Sequence, residues 1–269
     1  MRAEKARAGA ILAVDTSTAS MAAAIVSGGE VLAEVQTMAE RNHSVHVVSN
    51  IKNMLADTGM TENELEAIAV GNGPGSYTGM RIAAAVGKTL AWAWDKPLVG
   101  VSSLEALAYG AWQRGTGAAG DSANGGEHWV VPVMDARRGQ VYTSAFAMAE
   151  GTAWRRWADD GVRLMNVWVD RLEERLRGQA AGTVGSLSLV GDFSLHGTEA
   201  ERLKRIGEAA GVIVALQPFA QEGRWIAELG RMRLEAGQIE NPHAFAPNYT
   251  QLTEAEVVWK AKQAGEAKE

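Results

Sequence analysis

The 269-residue sequence has no cysteine, which excludes disulfides and thiolate metal sites. It also has no stretch of the ~20 consecutive apolar residues that a membrane-spanning helix needs. The net charge is −6 and no block of lysines or arginines occurs, which argues against an autonomous nucleic-acid-binding protein. The apolar run at 8–14 is interrupted by Asp15 and is too short for a signal peptide. We therefore expect a soluble, cytoplasmic protein with no membrane contact.

Two stretches of the chain share one pattern. AILAVDTSTASMAAAIV (10–26) and VVPVMDARRGQVYTSAF (130–146) each consist of an apolar strand ending in an aspartate, a short polar turn and a second strand. Asp15 and Asp135 occupy the same place in the two stretches. Such self-similarity predicts a duplicated structural unit. Two unrelated β-hairpins would give the same pattern and remain the alternative.

Hydrophobic periodicity divides the chain into two α/β units, each predicted to be a mixed sheet flanked by helices. The predicted strands of the first unit, 10–112, are 10–15, 20–27, 30–37, 66–71 and 98–101, and its helices are 43–58, 78–94 and 102–112. The Gly-rich stretch 113–127 is predicted to be a connecting loop. In the second unit, 128–264, we predict a hairpin over 129–148, strands at 161–165 and 187–191, and helices at 167–177, 198–210, 219–236 and 253–264. The last helices are candidates to pack back on the first unit.

The segment GNGPGSYTGMRI (71–82) places four glycines between a predicted strand and a predicted helix. Such a turn can hold a phosphate on the amides of the helix N-terminus. The segment matches neither GxxxxGK[ST] nor GxGxxG, so a tight turn that packs helix against sheet is the favoured interpretation. The polar DTST (15–18) could complete a metal–phosphate site or simply close its own turn. The residues of this candidate corner are Asp15, Thr16, Ser17, Gly73, Gly75, Ser76 and Gly79.

Two histidines, His43 and His46, have the three-residue spacing that places both on one helix face. A protein metal site needs a third ligand, and the sequence offers none nearby. We therefore expect no metal site, and no serine–histidine–aspartate triad can be identified from spacing.

Several segments together resemble the TsaB family, also called YeaZ. They are ILAVDTSTASMAAAIV, RNHSVHVVSNIKNML, AVGNGPGSYTGMRIAAAVGKTLA and LVGVSSLEALA, with weaker similarity in VVPVMDARRGQVYTSAF and APNYTQLTEAE. The resemblance runs almost continuously from residue 10 to residue 110. It implies a duplicated actin-like ATPase fold, also described as the sugar kinase–Hsp70–actin or ribonuclease H-like fold. It also implies a role in adding a threonylcarbamoyl group to N6 of the tRNA adenosine beside the anticodon.

The resemblance further implies that this chain is a non-catalytic relative of TsaD, the transferase of that pathway. Ser103 and Leu107 stand where TsaD carries its metal-binding histidine pair, and 182–194 lacks the double glycine of TsaD's adenine loop. The corner at 73–79 is then a vestigial phosphate turn, and no cofactor is expected. The expected partners are a TsaD-like subunit and a TsaE-like ATPase, with a homodimer when the chain is alone and tRNA bound only through the complex. The alternative is a small ATP-dependent phosphotransferase that uses Asp15 and the 73–79 turn.

The resemblance also implies that the first unit pairs with TsaD through helices, and the matching helix in this sequence is 43–58. Its apolar residues are Val47, Val48, Ile51, Met54 and Leu55. They cover more of the helix than a ~100°-wide stripe facing its own sheet requires. We therefore expect one edge to pack inside the domain and the other to meet a partner helix, with Ile51 or Val47 facing outward.

Overall fold

Two five-stranded mixed sheets form the framework of the computed structural model, which describes residues 9–38, 43–119, 126–149, 153–180 and 182–250. The strands of the first sheet are β1 (Ala10–Asp15), β2 (Ser20–Ser27), β3 (Glu30–Met38), β4 (Leu65–Gly71) and β5 (Leu98–Val101). Those of the second are β6 (Glu127–Asp135), β7 (Gln140–Met148), β8 (Arg155–Leu164), β9 (Val184–Gly191) and β10 (Ile213–Pro218).

The two sheets have the same topology. Their strand orders are β3-β2-β1-β4-β5 and β8-β7-β6-β9-β10, so each strand of the first half has a counterpart in the second. In each half the first three strands are antiparallel and the last two add in parallel. Asp15 pairs with Ala22 at the end of β1, and Asp135 pairs with Val141 at the end of β6. The duplication predicted from the sequence is confirmed.

Six α-helices of the described part of the chain cover the sheets. They are α1 (His43–Thr58), α2 (Tyr77–Ala93), α3 (Ser103–Ala119), α4 (Met165–Arg177), α5 (Gly197–Ala210) and α6 (Gly223–Glu235). The glycine after α1, Gly59, has φ +62°, a left-handed conformation that ends a helix without the strain a Cβ would add. Thr61 and Glu64 form a capping box on the short 3₁₀ turn that follows.

Alternation along the strands gives the first sheet two apolar faces. Leu12 and Val14 face α1 and α2, whereas Ile11 and Ala13 face α6. In the second sheet, Val131 and Val133 face α4 and α5. The opposite face of that sheet packs on α3, whose Ala108 and Ala111 contact β6, β7 and β9. The order of layers is therefore α1/α2, first sheet, α3/α6, second sheet, α4/α5.

The last helix of each half packs across the middle of the molecule. α6 follows the second sheet in the chain but packs on β1, β2 and β4, while α3 follows the first sheet and packs on the second. An aromatic cluster fills the space between these helices. Its members are Tyr109, Trp112, Phe146, Trp154 and Trp225, with ring centroids 5.0–5.9 Å apart. The burial of large aromatic rings at this junction joins the two halves.

Three elements differ from the sequence-based prediction. Helix α3 continues to Ala119, so 113–119 is helical rather than part of a loop. β8 is ten residues long and begins at Arg155 instead of residue 161. β10 was not predicted at all. The predicted helix 253–264 lies outside the described residues. No helix in the described part of the chain is long and apolar enough to cross a bilayer.

Candidate functional site

The candidate corner lies where the carboxyl end of β1 meets the turn between β4 and α2. The amide of Ser76 donates to the carbonyl of Ser17 over 2.7 Å, and the Thr16 hydroxyl donates to the carbonyl of Gly79 over 2.6 Å. Ser76 caps α2, because its hydroxyl accepts from the amide of Gly79 at 3.3 Å. The structure thus brings the two predicted parts of the corner, 15–17 and 73–79, into direct contact.

Glycine is required in this turn because the strand end approaches it closely. A Cβ on Gly75 would lie 2.2 Å from the Ser17 carbonyl oxygen, and one on Gly79 would lie 1.8 Å from that of Thr16. Gly73 has φ +93°, and its Cβ would meet the Met80 sulfur at 2.1 Å. The amides of Ser76 and Gly79, which a phosphate at this turn would need, already have acceptors within the chain. The geometry is that of a packed corner between helix and sheet.

Asp15 lies at the centre of the corner and is 1% exposed. Its Oδ1 accepts from the Ser17 amide at 2.6 Å, so the side chain closes its own turn as the second interpretation of DTST expected. Its Oδ2 accepts from the Gln221 side-chain amide at 3.1 Å. Burial raises the pKa of Asp15, and hydrogen bonds from Ser103, Ser17 and Gln221 offset this only in part.

The two positions matched to TsaD's metal-binding histidines have internal roles here. The Ser103 hydroxyl accepts from the Gly73 amide at 3.0 Å, and the Ser103 amide donates to the Gly73 carbonyl at 2.9 Å. Leu107 is buried next to Leu104 and Met134. Both residues therefore hold the turn and the α3 packing in place.

Of the two histidines singled out in the sequence, the structure describes the side chain of His46 alone. His46 is exposed on α1, and the side chain of His43 lies outside the described residues. No group of three or more potential metal-ligating His, Asp or Glu residues occurs in the described part of the chain.

The second half carries a counterpart of the corner with different chemistry. Asp135, at the end of β6, accepts from Nε2 of buried His196 at 3.0 Å. The glycine that ends β9, Gly191, has φ +112°, and a Cβ there would meet the Val133 carbonyl at 2.2 Å. Sequence reasoning identified Asp135 but missed His196 and Gln221. Both come close to their aspartates only in the fold, since Gln221 lies 206 residues from Asp15.

The apolar stripe of α1 faces inward more completely than predicted. Val47, Ile51 and Met54 are at most 3% exposed and belong to the core of the first sheet, so the expectation that Val47 or Ile51 faces outward is wrong. The outward apolar residue is Val48, which is 57% exposed. Leu55 is half-buried at the boundary of the core. The hydrophobic period identified the helix, but it could not give the rotation of the helix relative to the sheet.

The outer surface of α1 and α2 carries few charges. Exposed Ala85 and Thr89 lie one turn apart on α2, and Trp92, at its C-terminal end, is 67% exposed. Only 4 of the 33 residues in α1 and α2 are charged. The equivalent helices of the second half, α4 and α5, have 12 charged residues in 27, and Arg202 joins the two helices through Asp170 and Glu173. One face of this duplicated fold is therefore rich in ion pairs, whereas its counterpart has few charges and exposes the apolar side chains of Val48, Ala85 and Trp92.

Comparison with known protein families places these features in context. Residues 30–259 match the model of the family described as TsaD, tRNA N6-adenosine threonylcarbamoyltransferase. The chain is 35% identical over 256 residues to the tRNA threonylcarbamoyladenosine biosynthesis protein TsaB of Bacillus subtilis strain 168, covering 94% of this chain and 99% of that protein. It is 27% identical over 216 residues to TsaB of Escherichia coli strain K12, covering 79% and 83%.

Solved structures give the same relationship at the level of the fold. YeaZ from Pseudomonas aeruginosa superimposes with a TM-score of 0.66 at 22% identity, covering 90% of this chain and 99% of that one. Together with the two sheets of identical strand order, this similarity shows the actin-like ATPase fold that the resemblance implied.

Proposed function

The chain belongs to the TsaB family of tRNA threonylcarbamoyladenosine biosynthesis proteins, and we propose that it is a non-catalytic subunit that binds and supports a TsaD-like transferase. The outer surface of α1 and α2 is the proposed docking face. We define this face by exposed Val48, Ala85, Thr89 and Trp92 together with half-buried Leu55. A TsaE-like ATPase would complete the assembly, and tRNA would be bound by the assembly as a whole.

The observation that carries this proposal is the contrast between the two halves. α1/α2 and α4/α5 are equivalent layers on equivalent sheets, so a difference between their outer surfaces is not required by the fold. A solvent-facing helix layer is normally polar, as α4/α5 is. The docking face instead presents small side chains that let another helix approach closely and apolar ones that gain about 25 cal/mol per Å² when buried. In the free chain the same face would support self-association.

The packed corner supports a non-catalytic role. In the turn that could hold a phosphate, the amides of Ser76 and Gly79 already donate to the Ser17 carbonyl and the Ser76 hydroxyl. Asp15 is engaged by the Ser17 amide and by Gln221. A phosphotransferase using these residues would have to open the corner before it could bind substrate, so the geometry does not favour that alternative.

The decisive experiment replaces the most exposed apolar residue of α1. Val48→Glu should leave the chain folded, because the side chain is exposed, but it should abolish co-elution with the TsaD-like subunit of the same organism. A carboxylate buried against apolar surface costs several kcal/mol. Threonylcarbamoyl transfer to tRNA in the reconstituted system should fall in parallel.

The matched control is Ile213→Glu, on the edge strand β10. Ile213 is 59% exposed, so the two variants add the same charge at positions of equal exposure on different surfaces. The control should co-elute with the partner as the unchanged chain does. If folded Val48→Glu still forms the complex, the docking face is misassigned.

A further inference from the structure

Four arginines lie near the turn between β6 and β7 and the first turns of α4. They are Arg137, Arg138, Arg163 and Arg171. Arg137 and Arg138 are exposed in the turn itself. Arg163 lies opposite Val141 in the β7–β8 ladder, one residue before exposed Leu164, which pairs with the first residue of β7. The amide of Met165 donates to the Gly139 carbonyl at 2.9 Å, which fixes the turn to the beginning of α4.

None of these four arginines forms an ion pair with a carboxylate of the described residues, although the charges of Asp160 and Asp159 act on Arg163. Seven other arginines of the described chain form ion pairs with carboxylates. No carboxylate oxygen of the described residues lies within 4 Å of Arg137, Arg138, Arg163 or Arg171. Two neighbouring carboxylates are already paired with other arginines, Asp160 with Arg156 and Asp170 with Arg202.

Like charges also approach one another here. Burial and, next in size, the charge of Arg171 lower the pKa of Arg163. The guanidinium of Arg163 is held by the carbonyls of Thr143 and Asp159, both at 2.8 Å. The charges of Arg163 and Arg171 repel each other. An external anion would relieve that repulsion.

The backbone of the turn gives independent support. Arg137 has φ +64° and Arg138 has φ +52°, a left-handed conformation that residues other than Gly, Asn and Asp adopt at a cost. Gln140 donates to the Arg137 carbonyl at 2.9 Å, closing a turn whose central residues, Arg138 and Gly139, both have positive φ. Asn-Gly is the favoured sequence for such a turn. Because arginine is costly at both positions, its presence there indicates that the two side chains have a function.

We infer that this arginine cluster contacts the phosphate backbone of tRNA when the chain is part of the modification complex. The inference rests on the proposed function and adds a direct RNA contact to it. Guanidinium groups on an exposed turn fit phosphodiester oxygens, and such contacts are independent of base sequence. Exposed Val167, 52% accessible, provides an apolar surface beside the cations. An acidic surface of a partner protein is the competing ligand, and the test distinguishes it.

The test uses the full chain in complex with the TsaD-like subunit and a fluorescent, unmodified tRNA, titrated at several KCl concentrations. The first variant is Arg137→Asn/Arg138→Asn and the second is Arg171→Gln. Each lost phosphate contact should weaken binding roughly fivefold near 0.15 M salt and reduce the slope of log K against log salt by about 1. The double variant should also melt about 2 °C higher, because asparagine relieves the turn.

The matched control is Arg205→Gln, which removes an exposed arginine of α5 that has no ion pair among the described residues. It should bind tRNA as the unchanged chain does. Wild-type tRNA affinity in the double variant, or a lower melting temperature, overturns the inference. Loss of co-elution with the TsaD-like subunit instead of tRNA affinity also overturns it, because the cluster would then bind protein. Neither result concerns the docking face, which Val48→Glu tests separately.

Discussion

Asp15 is a carboxyl group that the fold buries with hydrogen-bond donors but, within the described residues, without a cation. Burial raises its pKa above the ordinary value of 3.8. A group whose pKa is higher in the folded state contributes its full stability below the unfolded-state pKa and loses it as pH rises through the folded-state value. Ionised Asp15 therefore reduces stability at neutral pH.

We predict that Asp15→Asn gains stability relative to the unchanged chain as the pH rises from 4.5 to 7. The asparagine can still accept from the Ser17 amide, and rotation of the Gln221 side-chain amide would pair its unbonded Oε1 with the new NH₂ group. Urea unfolding at the two pH values measures the difference. Asp57→Asn, at an exposed position of α1, is the control and should show no such trend. A trend of opposite sign would mean that the ionised carboxylate is stabilised in the fold.

Asp15 has one contact that the sequence predicts and one that it does not. The pattern strand–Asp–turn placed Asp15 at a strand end, and local turn chemistry predicted that its side chain would bond to its own turn. Its second partner, Gln221, is supplied by the segment before α6, and no local pattern predicts contact over such a distance. The predicted orientation of α1 was wrong for a related reason. Val47 and Val48 are adjacent valines, and only the position of the neighbouring sheet decides which one is buried.

The first turn of α2 contains a glycine, Gly79, that packs against the end of β1. Alanine is usually better than glycine inside a helix by up to about 1 kcal/mol. Gly79 should be an exception, since its Cβ would lie 1.8 Å from a backbone oxygen of Thr16, an atom that cannot move without shifting β1. We predict that Gly79→Ala destabilises the chain by at least about 2 kcal/mol, measured by urea unfolding.

Gly197→Ala is the matched control for this element. Gly197 begins α5, the counterpart of α2, and a Cβ there meets nothing within 4 Å. That variant should be neutral or slightly more stable. Equal effects of the two substitutions would show that helix propensity, rather than the close contact with β1, explains why glycine occurs at residue 79.

Elements with strong local signals were predicted to within a few residues. The hairpins around Gly28 and Gly139 combine alternating apolar strands with turn residues, and α4 and α5 have clear apolar periods. The prediction ended α3 too early, at residue 112, because Gly115 and Gly117 favour a loop in isolation. Tertiary packing on the second sheet overrides that preference. β10 was missed because one short apolar segment next to a proline does not by itself indicate a strand.

Polar contacts join the two halves of the molecule in addition to the packed layer of α3, α6 and aromatic rings between their sheets. Glu105 of α3 pairs with Arg156 of β8 at 3.1 Å and with Arg233 of α6 at 2.6 Å. Gln221, just before α6, binds Asp15, and Asn248 donates to Asp160 at 3.4 Å. Each of these contacts would resist a change in the spacing of the halves. The duplication was predictable from two short sequence stretches, whereas this cross-linking depends on residues far apart in the chain.

The packed corner and the joined halves lead to a prediction about nucleotide. ATP with Mg²⁺ should bind the isolated chain with a dissociation constant above roughly 1 mM, because a phosphate would have to displace the acceptors of the Ser76 and Gly79 amides. At 5 mM ATP such weak binding would stabilise the fold by about 1 kcal/mol or less, whereas a 1 μM site would add about 5 kcal/mol. For a chain of this size the two cases differ by roughly 10 °C in melting temperature, which thermal unfolding resolves easily. GTP at the same concentration controls for nonspecific ion effects. A large shift specific to ATP, with turnover that Asp15→Asn abolishes, would establish the phosphotransferase alternative and require the corner to open in solution.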